Sequence, residues 1–299
     1  MRVFVTGATG FIGSAVVAEL RAAGHQVLGL TRSDAGAATL AEAGAEVHRG
    51  NLDDLDSLRS GAAAADGVIH TAYNHGFTDF AAAARADGQA ITALAEALSG
   101  GDKPLVIASG IVTSSVPGQP ATEDSRPEPG SFAQFRFANE EIAASFVDRG
   151  VRASAVRLSP TVHGRGDKGF VARLIAIARE KGVSAYPGEG TAHWPTVHRL
   201  DAARLFRLAL ESAPGGARLM GVAEEGIAVR RIAEAIGRNL ELPVAGVSPD
   251  EAGEHFGFLA GILAMDLRAS SERTRKELDW QPTQPGLIED LDEGHYFTV

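Results

Sequence analysis

The sequence predicts an α/β fold, a doubly wound parallel sheet with a smaller, mainly helical lobe beside it. Three observations lead there. Short β-branched runs alternate with stretches of helical period over residues 1–160, as RVFVTG, SAVVAELRAAG and QVLGLTR show. The runs are continuously apolar, which is how strands covered on both faces read. A glycine-spaced turn, VTGATGFIG, joins the first run to the first helix.

Each element follows in order. After QVLGLTR come a helix at AATLAEAG, a strand at EVHRG, a helix at DLDSLRSGA and a strand at GVIHTA. The alanine-rich DFAAAARADGQAITALAEAL keeps a helical period with charged punctuation, so it is a helix and not a linker. Strands at PLVIAS and VRASAVRLS flank a further helix at SFAQFRFANEEIAASFVDRG. Beyond Pro160 the pattern loosens into glycine-rich loops, HGRGDKG and YPGEG, with helices at FVARLIAIAREKG, DAARLFRLALESA and VRRIAEAIGRNL and short strands between. Residues 1–160 therefore read as the binding domain, and 161–299 as a mixed segment that forms the lobe and completes the sheet domain. In such proteins the ligand crevice lies at the carboxyl ends of the strands.

Composition narrows the chemistry. Of 299 residues, 44% are hydrophobic, enough for a substantial core. There is no cysteine, which removes disulfides, thiolate metal sites and cysteine nucleophiles. The formal charge of −10 disfavours a nucleic-acid footprint and fits a cytoplasmic protein. The chain opens on a strand with no leader of the secretory kind. FGFLAGILAM, residues 256–265, is about half the ~20 residues of a membrane helix and reads as a buried helix. No membrane partner is expected.

Gly7, Gly10 and Gly13 follow a strand and open a helix, the context in which this spacing binds a dinucleotide. The turn lets backbone approach a diphosphate, the helix N-terminus offers it free N–H groups, and Thr9, Gly10, Phe11, Ile12 and Gly13 are expected to hold the coenzyme. The second strand ends in Thr31 and Arg32, with no acid at its tip to take ribose hydroxyls. Arg32 could pair with a 2′-phosphate, which favours NADP(H), unless Asp34 takes the ribose instead. Asn51, Leu52 and Asp53 end the third strand where adenine is held, although Asn51 could equally cap a helix starting at Leu52 or Asp53. Thr71 and Ala72 end the fourth strand and should run past the middle of the coenzyme.

Together with GVIHTA, VIASG, VRLSPTVHGRG, WPTVHRLDAARL and LDWQPT, this loop resembles the extended short-chain dehydrogenase/reductase family, its NAD-dependent epimerase/dehydratase-like branch, over nearly the whole chain. The resemblance implies a Rossmann domain, a nicotinamide coenzyme held also by Ser109 and Ser159, a small-molecule substrate and a homodimer joined through helices 79–98 and 131–148. It also implies a Ser after the fifth strand and a Tyr and Lys four residues apart on the next helix. Ser109 fits the first, in competition with Gly110 and with Thr113, Ser114 and Ser115 downstream. The helix FRFANEEIA offers Phe135 and Asn139, or Arg136 and Glu140, so the phenol and ammonium are absent and the member is atypical.

Three side chains are candidates to take the donor's place. Tyr73 could reach the nicotinamide, or simply pack at the crevice rim. His75, in the same loop, could act as an acid. His163 falls where the family chain enters the lobe. His193, Trp194 and His198 cluster without a carboxylate at ligand spacing, so no metal is expected, and Trp194 could line the pocket. Asp201 reads as an N-cap, and Arg136 as either an anion clamp or a surface partner of Glu140. The expected activity is an NADP-dependent oxidoreductase reducing a carbonyl or imine of a small organic substrate. The alternative is a non-catalytic NADP(H)-binding sensor.

Overall fold

The computed structural model describes residues 1–74, 79–111, 119–128, 130–131 and 133–298. Its strands are β1 (Arg2–Thr6), β2 (Gln26–Thr31), β3 (Glu46–Arg49), β4 (Gly67–His70), β5 (Lys103–Gly110), β6 (Val151–Leu158), β7 (Thr161–His163), β8 (Ser184–Pro187), β9 (His193–His198), β10 (Arg218–Gly221), β11 (Glu224–Ala228) and β12 (Val244–Val247). The helices are α1 (Phe11–Ala22), α2 (Asp34–Glu42), α3 (Leu55–Ala63), α4 (Phe80–Leu98), α5 (Gln134–Ala144), α6 (Phe170–Lys181), α7 (Arg199–Ser212), α8 (Val229–Leu240), α9 (Pro249–Phe256), α10 (Leu259–Leu263), α11 (Glu272–Leu278) and α12 (Leu287–Asp292).

Seven parallel strands make the main sheet, in the order β10-β6-β5-β4-β1-β2-β3. Side chains alternate across it with period two. Val3, Val5, Val106 and Val156 face α1 and α7, in a core with Val16, Leu20 and Phe206. Phe4, Val68, Leu105 and Ile107 face the other way, against Leu58 of α3 and Ile91 and Leu94 of α4. The two apolar layers explain why the strand sequences carry no polar face.

The short strands expected beyond Pro160 group into two small sheets. A three-stranded sheet, β11-β9-β7, and a parallel pair, β12-β8, stand among α6, α8, α9, α10 and α12. Their core gathers Leu174, Ile175, Trp194, Ile232, Ile236 and Leu287. The apolar stretch at 256–265 lies here, with Phe256, Leu259 and Leu263 buried. Among the described residues, no helix is long and apolar enough to cross a membrane.

Candidate functional site

The site grows out of the carboxyl ends of β1, β4 and β5. On the face that carries Phe4, Val68 and Ile107, the next same-side positions are Thr6, His70 and Ser109, all buried and all polar. Apolar layering thus gives way to a polar row where the strands end. Thr6 Oγ1 lies 2.7 Å from His70 Nδ1, and His70 Nε2 lies 3.0 Å from Asp87 Oδ1 on α4. The carboxylate can only accept, so the ring gives Asp87 its Nε2 proton, and in the neutral ring Nδ1 accepts from Thr6.

Asp87 also receives Asn139 Nδ2 at 2.7 Å and Arg136 Nη1 at 3.0 Å. Burial pushes its carboxyl up, but the His70 hydrogen bond, the His70 and Arg136 charges and the Asn139 amide outweigh burial, leaving it below the usual carboxylate range. Arg136 spans the row. Its Nη2 donates to the carbonyl oxygen of Ala108, and its guanidinium carbon stands 4.1 Å from the centre of the Tyr73 ring. Burial raises the Tyr73 phenol, Arg136 opposes this and Asp87 adds to it, and the net displacement is upward. The Ser109 hydroxyl, next in chain to Ala108, is buried with no hydrogen-bond partner among the described residues.

Several sequence expectations are corrected by these contacts. Arg136 and Glu140 are not a surface pair: Glu140 is buried and receives Nε and Nη2 of the fully buried Arg157, as well as Arg218 Nε at 3.1 Å. A fully buried guanidinium requires such a partner, which binds Glu140 to the sheet and away from Arg136. Phe135 points outward, 40% exposed. Trp194 lines no crevice; it is fully buried in the lobe core. Asp201 is not the N-cap of α7, since His198 holds that place with Nδ1 3.3 Å from the Leu200 amide. Asp201 instead accepts from the amides of Thr283 and Gln284. Asn51 caps no helix, because α3 begins at Leu55 under Asp54; its Oδ1 turns the chain by accepting from the Asp53 and Asp54 amides.

The phosphate loop fits a dinucleotide. Gly7 has φ of 67°, and a Cβ there would lie 2.7 Å from the Ala72 amide nitrogen. A Cβ on Gly13 would meet the Gly7 carbonyl oxygen at 2.0 Å. Gly10 is the N-cap of α1 and supplies no side-chain acceptor, so the first amides of the helix, from Phe11 onward, are free for an anion. Thr71 Oγ1 donates to the Thr6 carbonyl and stands beside Gly7. Thr9 is exposed and Ile12 half-buried at the mouth of this loop. Arg32 is exposed at the tip of β2, while Asp34 is engaged by Arg49 Nη2 at 2.6 Å. Leu52 packs at the edge of the core, Asp53 is exposed, and the Ser159 hydroxyl donates to the Gly221 carbonyl.

His163 is fully buried, with Nδ1 2.8 Å from Asp290 Oδ2, and no hydrogen bond or ring contact joins it to Tyr73 or Ser109 among the described residues. His75, Thr113, Ser114 and Ser115 lie outside the described residues. Sequence reasoning missed Thr6, His70 and Asp87. A readable signal existed, a titratable ring at the end of the otherwise apolar strand GVIH.

The family described as NAD dependent epimerase/dehydratase matches residues 3–220. An uncharacterized protein of Schizosaccharomyces pombe is 48% identical over 298 residues, 99% of this chain and 100% of its own. One of Saccharomyces cerevisiae is 46% identical over 293 residues, 97% of this chain and 98% of its own. The crystal structure of Thermus thermophilus UDP-glucose 4-epimerase in complex with NAD aligns with a TM-score of 0.78 at 22% identity, covering 100% of both chains, a likeness of fold.

Proposed function

The chain belongs to the NAD dependent epimerase/dehydratase family, and on that footing we propose that it is an NADP(H)-dependent oxidoreductase reducing a C=N or C=O bond of a small organic substrate. The observation that carries this reading is the Tyr73, Arg136 and Asp87 assembly beside the unsatisfied Ser109 hydroxyl. When bound, a nicotinamide dinucleotide supplies the hydride. Gly7 and Gly13 let the loop close on Thr71, Ala72 and the Gly7 carbonyl so that the first amides of α1 are offered to its diphosphate, and the exposed Arg32, with Asp34 paired to Arg49, supports a 2′-phosphate.

The chain's own groups then determine which substrates react. Ser109 can donate to the substrate heteroatom. Tyr73 holds its proton more tightly than a solvated phenol, which makes it a poor base and a weak acid. An epimerase or dehydratase must first strip a proton from a hydroxyl, so a raised phenol works against that chemistry. An iminium carbon needs no proton at the moment hydride arrives, and the raised phenol costs its reduction little. Incubating the protein with NADPH against matched panels of imines, ketones and UDP-sugars tests the proposal. Consumption of NADPH with an imine or ketone is expected; turnover confined to UDP-sugars, or tight NADPH binding with no turnover at all, would replace it with an epimerase or a sensor.

A further inference from the structure

The second half of the chain sends a guanidinium back to the phosphate loop. Arg199 is the first residue of α7, immediately after its N-cap His198. Its guanidinium carbon stands 5.2 Å from the centre of the Phe11 ring, and Phe11 is the first residue of α1. Arg199 Cγ also approaches Gly164, where an added Cβ would meet it at 3.2 Å. The side chain therefore lies between the phosphate loop and the turn that opens the lobe.

This is an unfavourable place for a cation. A helix N-terminus carries partial positive charge, and Arg199 is the first residue of one helix with its guanidinium against the ring of the first residue of another. A carboxylate partner is missing on both among the described residues, which leaves the Phe11 ring as the contact of the guanidinium. α1 has no acid in its first turn. The acid in the first turn of α7, Asp201, is committed to the Thr283 and Gln284 amides. Among the described residues no ion pair joins Arg199 to a carboxylate, although most of the other buried and half-buried arginines in the fold, such as Arg136, Arg157 and Arg207, have one. His198 registers the local field: burial and then His163 push its ring toward the neutral form, Asp290 and Asp201 oppose this, and Arg199 adds to it, with the net displacement downward. Local electrostatics that oppose folding are expected where a ligand resolves them.

We propose that Arg199 is a coenzyme-binding residue whose guanidinium closes over the diphosphate held at the start of α1. This rests on the coenzyme reading above and adds to it a second-half contact that acts on the diphosphate, the part NADPH and NADH share. The geometry is suited to it, because a planar guanidinium offers paired donors to two phosphate oxygens while the helix amides hold the others.

Isothermal titration of the full chain and its Arg199→Gln variant with NADPH, NADH and adenosine 2′-monophosphate separates the possibilities. The variant should lose about ten- to a hundredfold in affinity for NADPH and NADH alike, bind the monophosphate as the parent does, and lose affinity less steeply as salt is added. Arg199→Lys should fall between the two. Without coenzyme the variant should unfold close to the parent's temperature, since the relief of the α7 N-terminus offsets the lost contact with the Phe11 ring. Equal NADPH affinity in both proteins overturns the inference, as does a lowered melting temperature in the absence of coenzyme, which would make Arg199 a structural link between α1 and α7. Failure of the parent to bind either dinucleotide would instead remove the coenzyme reading itself.

Discussion

Tyr73 keeps its proton because it is half-buried and because Asp87 lies behind the guanidinium that covers it. Removing the hydroxyl should therefore matter unequally. Tyr73→Phe is expected to lower kcat for ketone reduction about a hundredfold and to leave imine reduction within a few-fold, read from steady-state rates on the two panels. Asp87 is a different case, since it accepts from His70, Asn139 and Arg136 at once. Asp87→Ala strands the buried His70 Nε2 and leaves the half-buried Arg136 without its carboxylate, and should lower stability by about 3 kcal/mol, seen as an earlier midpoint in urea. This arrangement was hard to see in the sequence because its members are far apart: 64 residues separate Thr6 from His70, and 49 separate Asp87 from Arg136. The glycine loop was legible because its parts are adjacent and its spacing follows from backbone geometry alone.

Among elements, the late LDWQPT segment shows why a sequence motif can be visible while its purpose is not. Trp280 is fully buried and donates Nε1 to the Asp201 carbonyl at 3.0 Å, and the Asp201 carboxylate receives the Thr283 and Gln284 amides. The segment is fastened along α7, which packs on α1 beneath the phosphate loop. Asp201 resembles a helix cap in sequence because it is an acid near a helix start, yet the helix begins at Arg199 and the side chain turns inward. Asp201→Ala should cost about 3 kcal/mol through two lost charge-assisted bonds, and calorimetry should show it as a single lower transition. The helix at Gln134–Ala144 was likewise legible as a helix, but not the direction of its charges, because periodicity places side chains on a face without naming the partner opposite.

For the whole molecule, acid should act in two stages. His198 sits below its usual 6.5 because it is buried, so the unfolded chain takes up the proton first, and the stability this contributes is lost as pH falls from 6.5 toward the lower folded value. Asp87 and Asp290 lie below their usual 3.8, so their contributions persist above that value and disappear as pH drops through the folded ones. Asp167, raised by burial, acts in the opposite sense and softens the second stage. Urea midpoints between pH 7.5 and 3 should show a shallow decline and then a steep one, and His198→Asn should flatten the first. The fold class and the presence of short strands in the lobe could be anticipated, whereas the positions of its five strands could not, being three to six residues long and without a clear period.

The seventh sheet strand has a further consequence. β10 reaches its place beside β6 only after the chain has passed through residues 161–217. A ribosome that has released the first half of this protein therefore holds an eight-residue strand, Val151–Leu158, with one row of amides and carbonyls bare. Such a margin invites the wrong neighbour. Truncation after β9 should yield material that associates through that margin, and adding back the missing residues in trans should compete with the association.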